Sequence, residues 1–320
     1  MKHLFVINPV AGGKKHDPKK TESDILTAME KIGGDYEIYY TTGPRDATRK
    51  VKEEAASGGE LRVYACGGDG TLNECVNGAA GMKNAAVAHY PCGTGNDFIK
   101  CFEHERVKFF SIGDLIGGEV HPIDLIDCGN GMYGLNIASV GIDARVGADV
   151  HKYSALPFIG GAGGYVVSMI VNVMKGIGQE LTIIVDGKTI QGKFTMVSVC
   201  NGRYYGGGFN PVPEALPNDG LLDILIVKNL GIVKVALLIG DYAKGKYKQY
   251  PEYIRHIRGK NIRIESRKEI LVGFDGESYK GKTVEFKVVP DGVNMIFPRG
   301  MEFFSAQSGE NAGDKSKTAV

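Results

Sequence analysis

The chain has 320 residues, 43% hydrophobic and 23% charged, proportions of an ordinary folded protein with enough length for two compact domains. Lys and Arg number 38 against 37 Asp and Glu, so the net charge of +1 excludes a nucleic-acid partner held by overall charge and confines anion binding to local clusters. Cys66, Cys75, Cys92, Cys101, Cys128 and Cys200 include no close pair of zinc-site spacing, and the N-terminus carries no secretory pattern, so the thiols read as reduced and mostly buried in a cytoplasmic protein.

The first 125 residues alternate short apolar runs with helical patterns. Strands are expected at His3 to Ile7, Tyr36 to Thr41, Leu61 to Ala65 and Ala85 to Tyr90. Helices are expected at Thr21 to Ile32, with Ile25, Leu26, Met29 and Ile32 on one face, then at Asp46 to Ser57, Thr71 to Ala79 and Asn96 to Phe102. This alternation predicts a doubly wound α/β domain with a parallel sheet over residues 1 to 122. From about Pro122 the pattern changes to β-branched runs at Leu181 to Val185, Gly192 to Cys200, Leu222 to Val227, Asn261 to Glu265 and Thr283 to Val289. Asp186-Gly187, Asp219-Gly220 and Asp291-Gly292 read as turns between them, so residues 123 to 292 predict a mainly antiparallel second domain with one helix at Gly231 to Lys244. The run Val293 to Phe304 returns to pack on either domain, and the polar tail from Ser305 to Val320 reads as disordered.

Tyr153 to Met174 carries no charge and approaches the ~20 residues that cross a bilayer. Pro157 and the glycines at 160, 161, 163 and 164 break its first half, so Tyr165 to Met174 is expected as a buried helix and no transmembrane span is expected.

Three glycine loops carry the chemistry. Gly67-Gly68-Asp69-Gly70-Thr71-Leu72-Asn73-Glu74 sits where a strand ends and a helix begins, Pro91-Cys92-Gly93-Thr94-Gly95-Asn96-Asp97-Phe98 follows the next strand, and Asn8-Pro9-Val10-Ala11-Gly12-Gly13 follows the first. Adjacent glycines let the backbone approach a phosphate, free helix amides point at it, and Asp69 is placed to hold a magnesium ion or its waters. Each loop alone is also a plain strand-to-helix turn. In a parallel sheet, however, all three emerge at the strands' carboxyl ends, where ligands bind. None is a Walker loop and none has the dinucleotide spacing, which disfavours P-loop kinases and ordinary dehydrogenases.

Together these residues resemble the diacylglycerol-kinase catalytic domain family, whose order continues through Asn218-Asp219-Gly220-Leu221-Leu222-Asp223 and Phe274-Asp275-Gly276-Glu277. The resemblance covers nearly the whole chain apart from the tail, and bacterial soluble lipid kinases are the nearest members in architecture. It implies a nucleotide-binding α/β domain, related to those of NAD kinases and phosphofructokinases, followed by a β-sandwich domain, with ATP in the cleft between them. By motif, Asn8, Pro9, Val10, Ala11 and Gly12 would line the nucleotide, with Thr41 after the second strand. Gly68, Asp69, Gly70, Thr71, Leu72, Asn73 and Glu74 would hold the phosphates, and Thr94 would complete the pocket. Lys14 is the counterpart of a family lysine, shifted in register by Gly13.

The same resemblance makes Glu277 the general base that accepts the proton of a lipid hydroxyl, although Asp-Gly by itself reads as a hairpin turn with a surface acid after it. It makes Asp219, with the carbonyls of Leu216 and Leu221, a structural Mg2+ site in which Asn218 replaces a second aspartate, with Asp97 and Asp124 linking it to the active site; without the resemblance, Asn-Asp-Gly is an ordinary turn. The run Lys244, Lys246, Lys248, Arg255, His256, Arg258 and Lys260 is either a headgroup face or a solvated surface.

The implied activity is transfer of the ATP γ-phosphate to a lipid hydroxyl, diacylglycerol first, at the inner membrane surface. An NAD-kinase-like enzyme and a silent nucleotide- or lipid-binding regulator are the alternatives. A homodimer is compatible with the sequence, but no residue pattern calls for one.

Overall fold

The computed structural model describes residues 1–13, 16–142, 144–145 and 178–303. Lys14, the expected helix at Tyr165 to Met174 and the tail lie outside them. Elements alternate from β1 (Lys2–Ile7) through α1 (Pro18–Ile32), β2 (Asp35–Tyr40), α2 (Asp46–Ala56), β3 (Leu61–Gly67), α3 (Asp69–Ala79) and β4 (Ala85–Pro91). Strands β2, β1, β3 and β4 lie side by side in that order, all parallel. Strands β1, β3 and β4 are buried almost throughout because helices cover both faces, which is why they read as continuous apolar runs, whereas β2 at the edge is half exposed.

Helix α1 starts on Asp17, whose carboxylate accepts the Lys19 amide at 3.0 Å, with Pro18 in the first turn. Its buried positions are Thr21, Ile25 and Met29, one turn apart, while Leu26 and Ile32, expected on the same face, are exposed. The helix expected over Asn96 to Phe102 is only the single turn α4 (Asp97–Lys100). Asn96 and Glu103 take positive φ (51° and 47°) on either side, and a 3-10 helix at Glu103–Phe110 leads into α5 (Ile112–Ile116).

Next come β5 (Glu119–Asp127), β6 (Tyr133–Gly134), β7 (Ile137–Gly141), β8 (Gln179–Val185), β9 (Lys188–Cys200), β10 (Leu222–Lys228), α6 (Ile232–Tyr242), β11 (Ile254–Gly259), β12 (Asn261–Phe274) and β13 (Glu277–Phe297). Strands β7, β9, β8 and β12 pair antiparallel in a closed ring, since β9 and β12 each bend from one layer into the other. Alternate residues such as Leu181, Ile183 and Val185, or Leu222, Ile224 and Ile226, fill the sandwich interior. The opposite faces of β9 and β10, with Met196, Leu225 and Val227, pack against α6. The architecture is α/β, with an N-terminal parallel-sheet domain covered by helices and a C-terminal β-sandwich.

The Asp291-Gly292 turn does not end a strand. Asp291 (φ 51°) sits in a bulge between Val289 and Val293, and β13 continues past it to pair parallel with β4 through Asn294, Met295 and Ile296. The last apolar run thus joins the N-terminal sheet. β5 runs antiparallel to β13 from Glu119 to Asp127, so the change of pattern at Pro122 falls inside a strand shared by both cores.

Five cysteines are buried, Cys92 is half-buried, and all six are free. Among the described residues no helix is long and apolar enough to cross a membrane.

Candidate active site

Parallel pairing in register brings the carboxyl ends of β1, β3 and β4 level, Ile7 opposite Cys66 and Gly67 opposite Pro91. Backbone hydrogen bonds extend the alignment into the loops: Asn8 donates to the Cys66 carbonyl at 3.0 Å, Cys92 to Gly67 at 2.8 Å and Thr41 to Ile7 at 2.9 Å. The loops then touch. A Cβ on Gly93 would stand 2.3 Å from the Gly68 Cα, and one on Gly12 2.3 Å from the Cys92 carbonyl oxygen, so only glycine permits this convergence. The Asn8 side-chain amide donates to Thr71 Oγ1 at 3.0 Å and its Oδ1 accepts the Val10 amide at 3.1 Å, which ties the first loop to the start of α3.

Helix α3 begins at Asp69 with Gly68 as its N-cap, and the Leu72 amide is the first to bond back, to the Gly68 carbonyl. The amides of Asp69, Gly70 and Thr71 are therefore donors without an acceptor inside the helix, the feature that seats anions at helix N-termini. Gly70 is exposed, with open space around its Cα.

Acids gather beside this end. Asp69 Oδ1 accepts the Asp97 amide at 2.5 Å, and Asp97 in turn accepts Lys100 Nζ at 2.6 Å and the Gly207 amide at 2.8 Å. Burial pushes both carboxyls above the usual range; for Asp69 the Asp97 amide and Lys100 oppose that rise, and for Asp97 the Asp69 charge adds to it. His89 lies fully buried beneath, with Nε2 3.2 Å from the Gly67 carbonyl, and burial lowers it to about 4.

The β12–β13 hairpin reaches the same place. Asp275 (φ 41°) and Gly276 (φ 95°) form its two-residue turn, and Phe274 pairs with Glu277 across it. The Asp275 carboxylate accepts amides from Leu135 (2.5 Å), Asn136 (3.0 Å) and Ile137 (3.3 Å) and the Asn73 side-chain amide of α3 (3.3 Å). Burial raises it to about 6 against the pull of those amides, and the Asp69 charge adds to the rise. Sequence reasoning gave Asp275 no role, because Asp-Gly is the ordinary signal of a tight turn and nothing local announces its partners. Glu277 itself is exposed at the first position of β13.

Other expected residues are divided. Val10 and Thr94 are exposed on the loop rims, and Thr41 is half-buried beside Ile7. Leu72 points into the core, and the Glu74 carboxylate accepts the Arg45 and Ala47 amides at 2.9 and 3.1 Å, capping α2, whose own N-cap Arg45 supplies no side-chain bond. Asn73 is likewise committed, to the Tyr133 carbonyl and Asp275. The open part of that segment is Gly68 to Gly70, since Thr71 is buried with its Oγ1 accepting from Asn8.

A sequence profile of the diacylglycerol kinase catalytic domain matches residues 2–128, and that of the YegS C-terminal NAD kinase beta sandwich-like domain matches residues 136–297, half of the chain by itself. The chain belongs to the YegS-like diacylglycerol kinase family. It is 27% identical to the diacylglycerol kinase of Bacillus subtilis over 92% of this chain and 96% of that one, and 27% identical to the diacylglycerol kinase of Staphylococcus saprophyticus over 87% and 89%. A crystal structure of a diacylglycerol kinase from Bacillus anthracis superposes with a TM-score of 0.69 at 25% identity, covering 94% and 98% of the two chains. An NAD kinase from Archaeoglobus fulgidus in complex with ATP shares the fold, with a TM-score of 0.51 at 12% identity over 97% and 98%. As a member of this kinase family the chain is a phosphotransferase with an alcohol acceptor.

The diacylglycerol-kinase resemblance also implied a magnesium site at Asp219, and here the geometry differs. Arg258 Nη2 donates to Asp219 Oδ2, Arg258 Nε lies 3.4 Å from Asp223, and the Leu221 amide donates to Asp219 Oδ1 at 3.1 Å. The only carboxylate of the expected set is thus already neutralised by a guanidinium, which fits a dication poorly. Among the described residues no three His, Cys, Asp or Glu side chains gather as a metal site. The expected link through Asp97 and Asp124 is also divided: Asp124 accepts the Gly220 amide at 2.7 Å and the Asp291 amide at 3.0 Å, fastening the Asp219 turn to β13, while Asp97 faces Asp69.

The basic run does not form one face. Lys246 pairs with Asp241 at 3.0 Å, Lys248 with Glu214 at 2.6 Å, His256 with Asp223 at 2.6 Å and Arg258 with Asp219, which leaves Lys244, Arg255 and Lys260 exposed.

Proposed function

We propose that this kinase transfers the γ-phosphate of ATP to a lipid hydroxyl, with diacylglycerol as acceptor and phosphatidic acid as product. The reading rests on one observation: Asp275 fastens the hairpin carrying Glu277 onto α3, the helix whose N-terminus meets the converging glycine loops. In this reading residues 1–122 hold the nucleotide, 123–292 present the acceptor, and 293–304 return to the first unit. Asn8, Pro9, Val10, Ala11, Gly12, Thr41 and Thr94 line ATP, and the amides from Gly68 to Thr71 cradle its phosphates. Asp69, beside the phosphate seat, would hold a Mg2+ accompanying the nucleotide, which would supply neutralisation of the phosphate charge.

The acceptor oxygen attacks the γ-phosphorus, the bond to the β-phosphate oxygen breaks and ADP leaves, and the hydroxyl proton passes to Glu277. A carboxylate suffices because phosphoryl transfer depends chiefly on alignment and charge neutralisation. Such an enzyme works in the cytoplasm, peripheral to the inner membrane surface. Transfer of labelled γ-phosphate with Mg2+ to diacylglycerol, monoacylglycerol, sphingosine, ceramide, polyprenol and NAD, beside Glu277→Gln, tests it. Label on diacylglycerol that the variant loses supports the reading. Label on NAD alone moves the chain to NAD-kinase chemistry, and ATP binding without any label makes it a silent regulator.

A further inference from the structure

Helix α6 is apolar on both sides. Val235 and Tyr242 are buried and Leu238 and Ile239 half-buried against β9 and β10, so the helix is already anchored to the sandwich. The opposite arc consists of Ile232 (53% exposed), Val233 (73%), Ala236, Leu237 (73%) and Gly240, without a single charge. A helix that is hydrophobic all round belongs in an apolar surrounding, and here one side faces outward.

We infer that this face of α6 is a docking surface for an anionic lipid bilayer, a conclusion that rests on the lipid-kinase reading above for the reason such a face exists. Charge selects this occupant. Exposed lysines rim the apolar arc: Lys228 just before the helix, Lys234 on its flank with Nζ 3.8 Å from the Tyr253 ring centre, and Lys244 just after its end. The nearby acid, Asp241, is answered by Lys246 at 3.0 Å and by Tyr250 Oη at 2.5 Å. A second copy seated by a two-fold axis would set this cationic rim against itself, whereas anionic headgroups complement the rim while the acyl region takes the apolar arc.

The test is sedimentation of the full chain with phosphatidylcholine vesicles, with and without phosphatidylglycerol. Val233→Asp/Leu237→Asp should lower partitioning into both about tenfold or more, and the milder Val233→Ser/Leu237→Ser should act in the same direction. Lys228→Gln and Lys244→Gln should remove only the preference for the anionic vesicles, about fivefold each. ATP-dependent phosphorylation of a monomeric short-chain diacylglycerol should be unchanged in all of them. Sedimentation that is indifferent to the Val233 and Leu237 changes would overturn the inference. So would a wild-type dimer that these changes render monomeric without any vesicle binding. If short-chain diacylglycerol is never phosphorylated while sedimentation still depends on α6, the docking surface stands and the lipid-kinase reading falls.

Discussion

Asn73 on α3 donates its side-chain amide to the Asp275 carboxylate at 3.3 Å, and this bond joins the helix of the phosphate loop to the hairpin of the proposed base. Two residues that are 202 positions apart thereby set the distance over which a proton and a phosphoryl group would have to be coordinated.

Removing the base should separate chemistry from folding. Glu277→Gln is expected to lower kcat about 10²–10⁴-fold, with the KM for ATP nearly unchanged. Because Glu277 is exposed, its melting temperature should match the wild type. Equal losses in kcat and in thermal stability would instead make Glu277 a structural residue.

The titration of Asp275 gives a stability signature. Its folded pKa of about 6 lies above the ~3.9 of an unfolded aspartate. The folded chain therefore holds an extra proton between those values, and the stability this contributes is complete below about pH 4 and lost as the pH rises through 6. Measured by urea unfolding, Asp275→Asn should gain on the wild type as pH increases across this window, by up to about 3 kcal/mol. A pH-independent difference between the two would contradict the assignment.

Two glycines should respond oppositely. Gly93→Ala forces a Cβ to within 2.3 Å of the Gly68 backbone and should cost about 1–3 kcal/mol as well as ATP affinity. Gly70→Ala meets nothing within 4 Å and lies in a helix, so it should keep or raise stability by up to about 1 kcal/mol. If the phosphates approach the helix end, ATP affinity measured by calorimetry should nevertheless fall in Gly70→Ala.

At the Asp219 turn, Arg258 acts as the counter-charge. Arg258→Ala should lose about 1 kcal/mol, a modest figure because its side chain is 43% exposed. In thermal melts without nucleotide, Mg2+ should stabilise Arg258→Ala and leave the wild type unmoved. A wild-type melting temperature that drops in chelator would show that a dication, and not Arg258, holds this turn.

Much of the N-terminal half was legible because parallel strands buried on both faces announce themselves as apolar runs, and because three glycine loops, each a plain turn by itself, all follow strands of one parallel sheet. The limits were local. Leu26 and Ile32 matched the helical period yet face outward, since the neighbouring elements cover only the Thr21, Ile25 and Met29 line. A helix over Asn96 to Phe102 failed because Asn96 and Glu103 adopt left-handed backbone that no periodicity encodes. Glu74 looked like a phosphate-loop residue but caps the neighbouring helix α2.

By itself, then, the sequence determined most of the strands, though not β5, β6, β7 or β11 nor the full length of β12 and β13, together with most of the helices, the three loops and the family resemblance, since each depends on residues close together in the chain. Only the tertiary structure decided that β13 crosses into the N-terminal sheet, that Asp275 clamps the hairpin to α3, and that Arg258 neutralises Asp219. Those outcomes depend on register and on partners tens to hundreds of residues away, and their energies arise from burial and charge pairing that exist only once the chain has closed on itself.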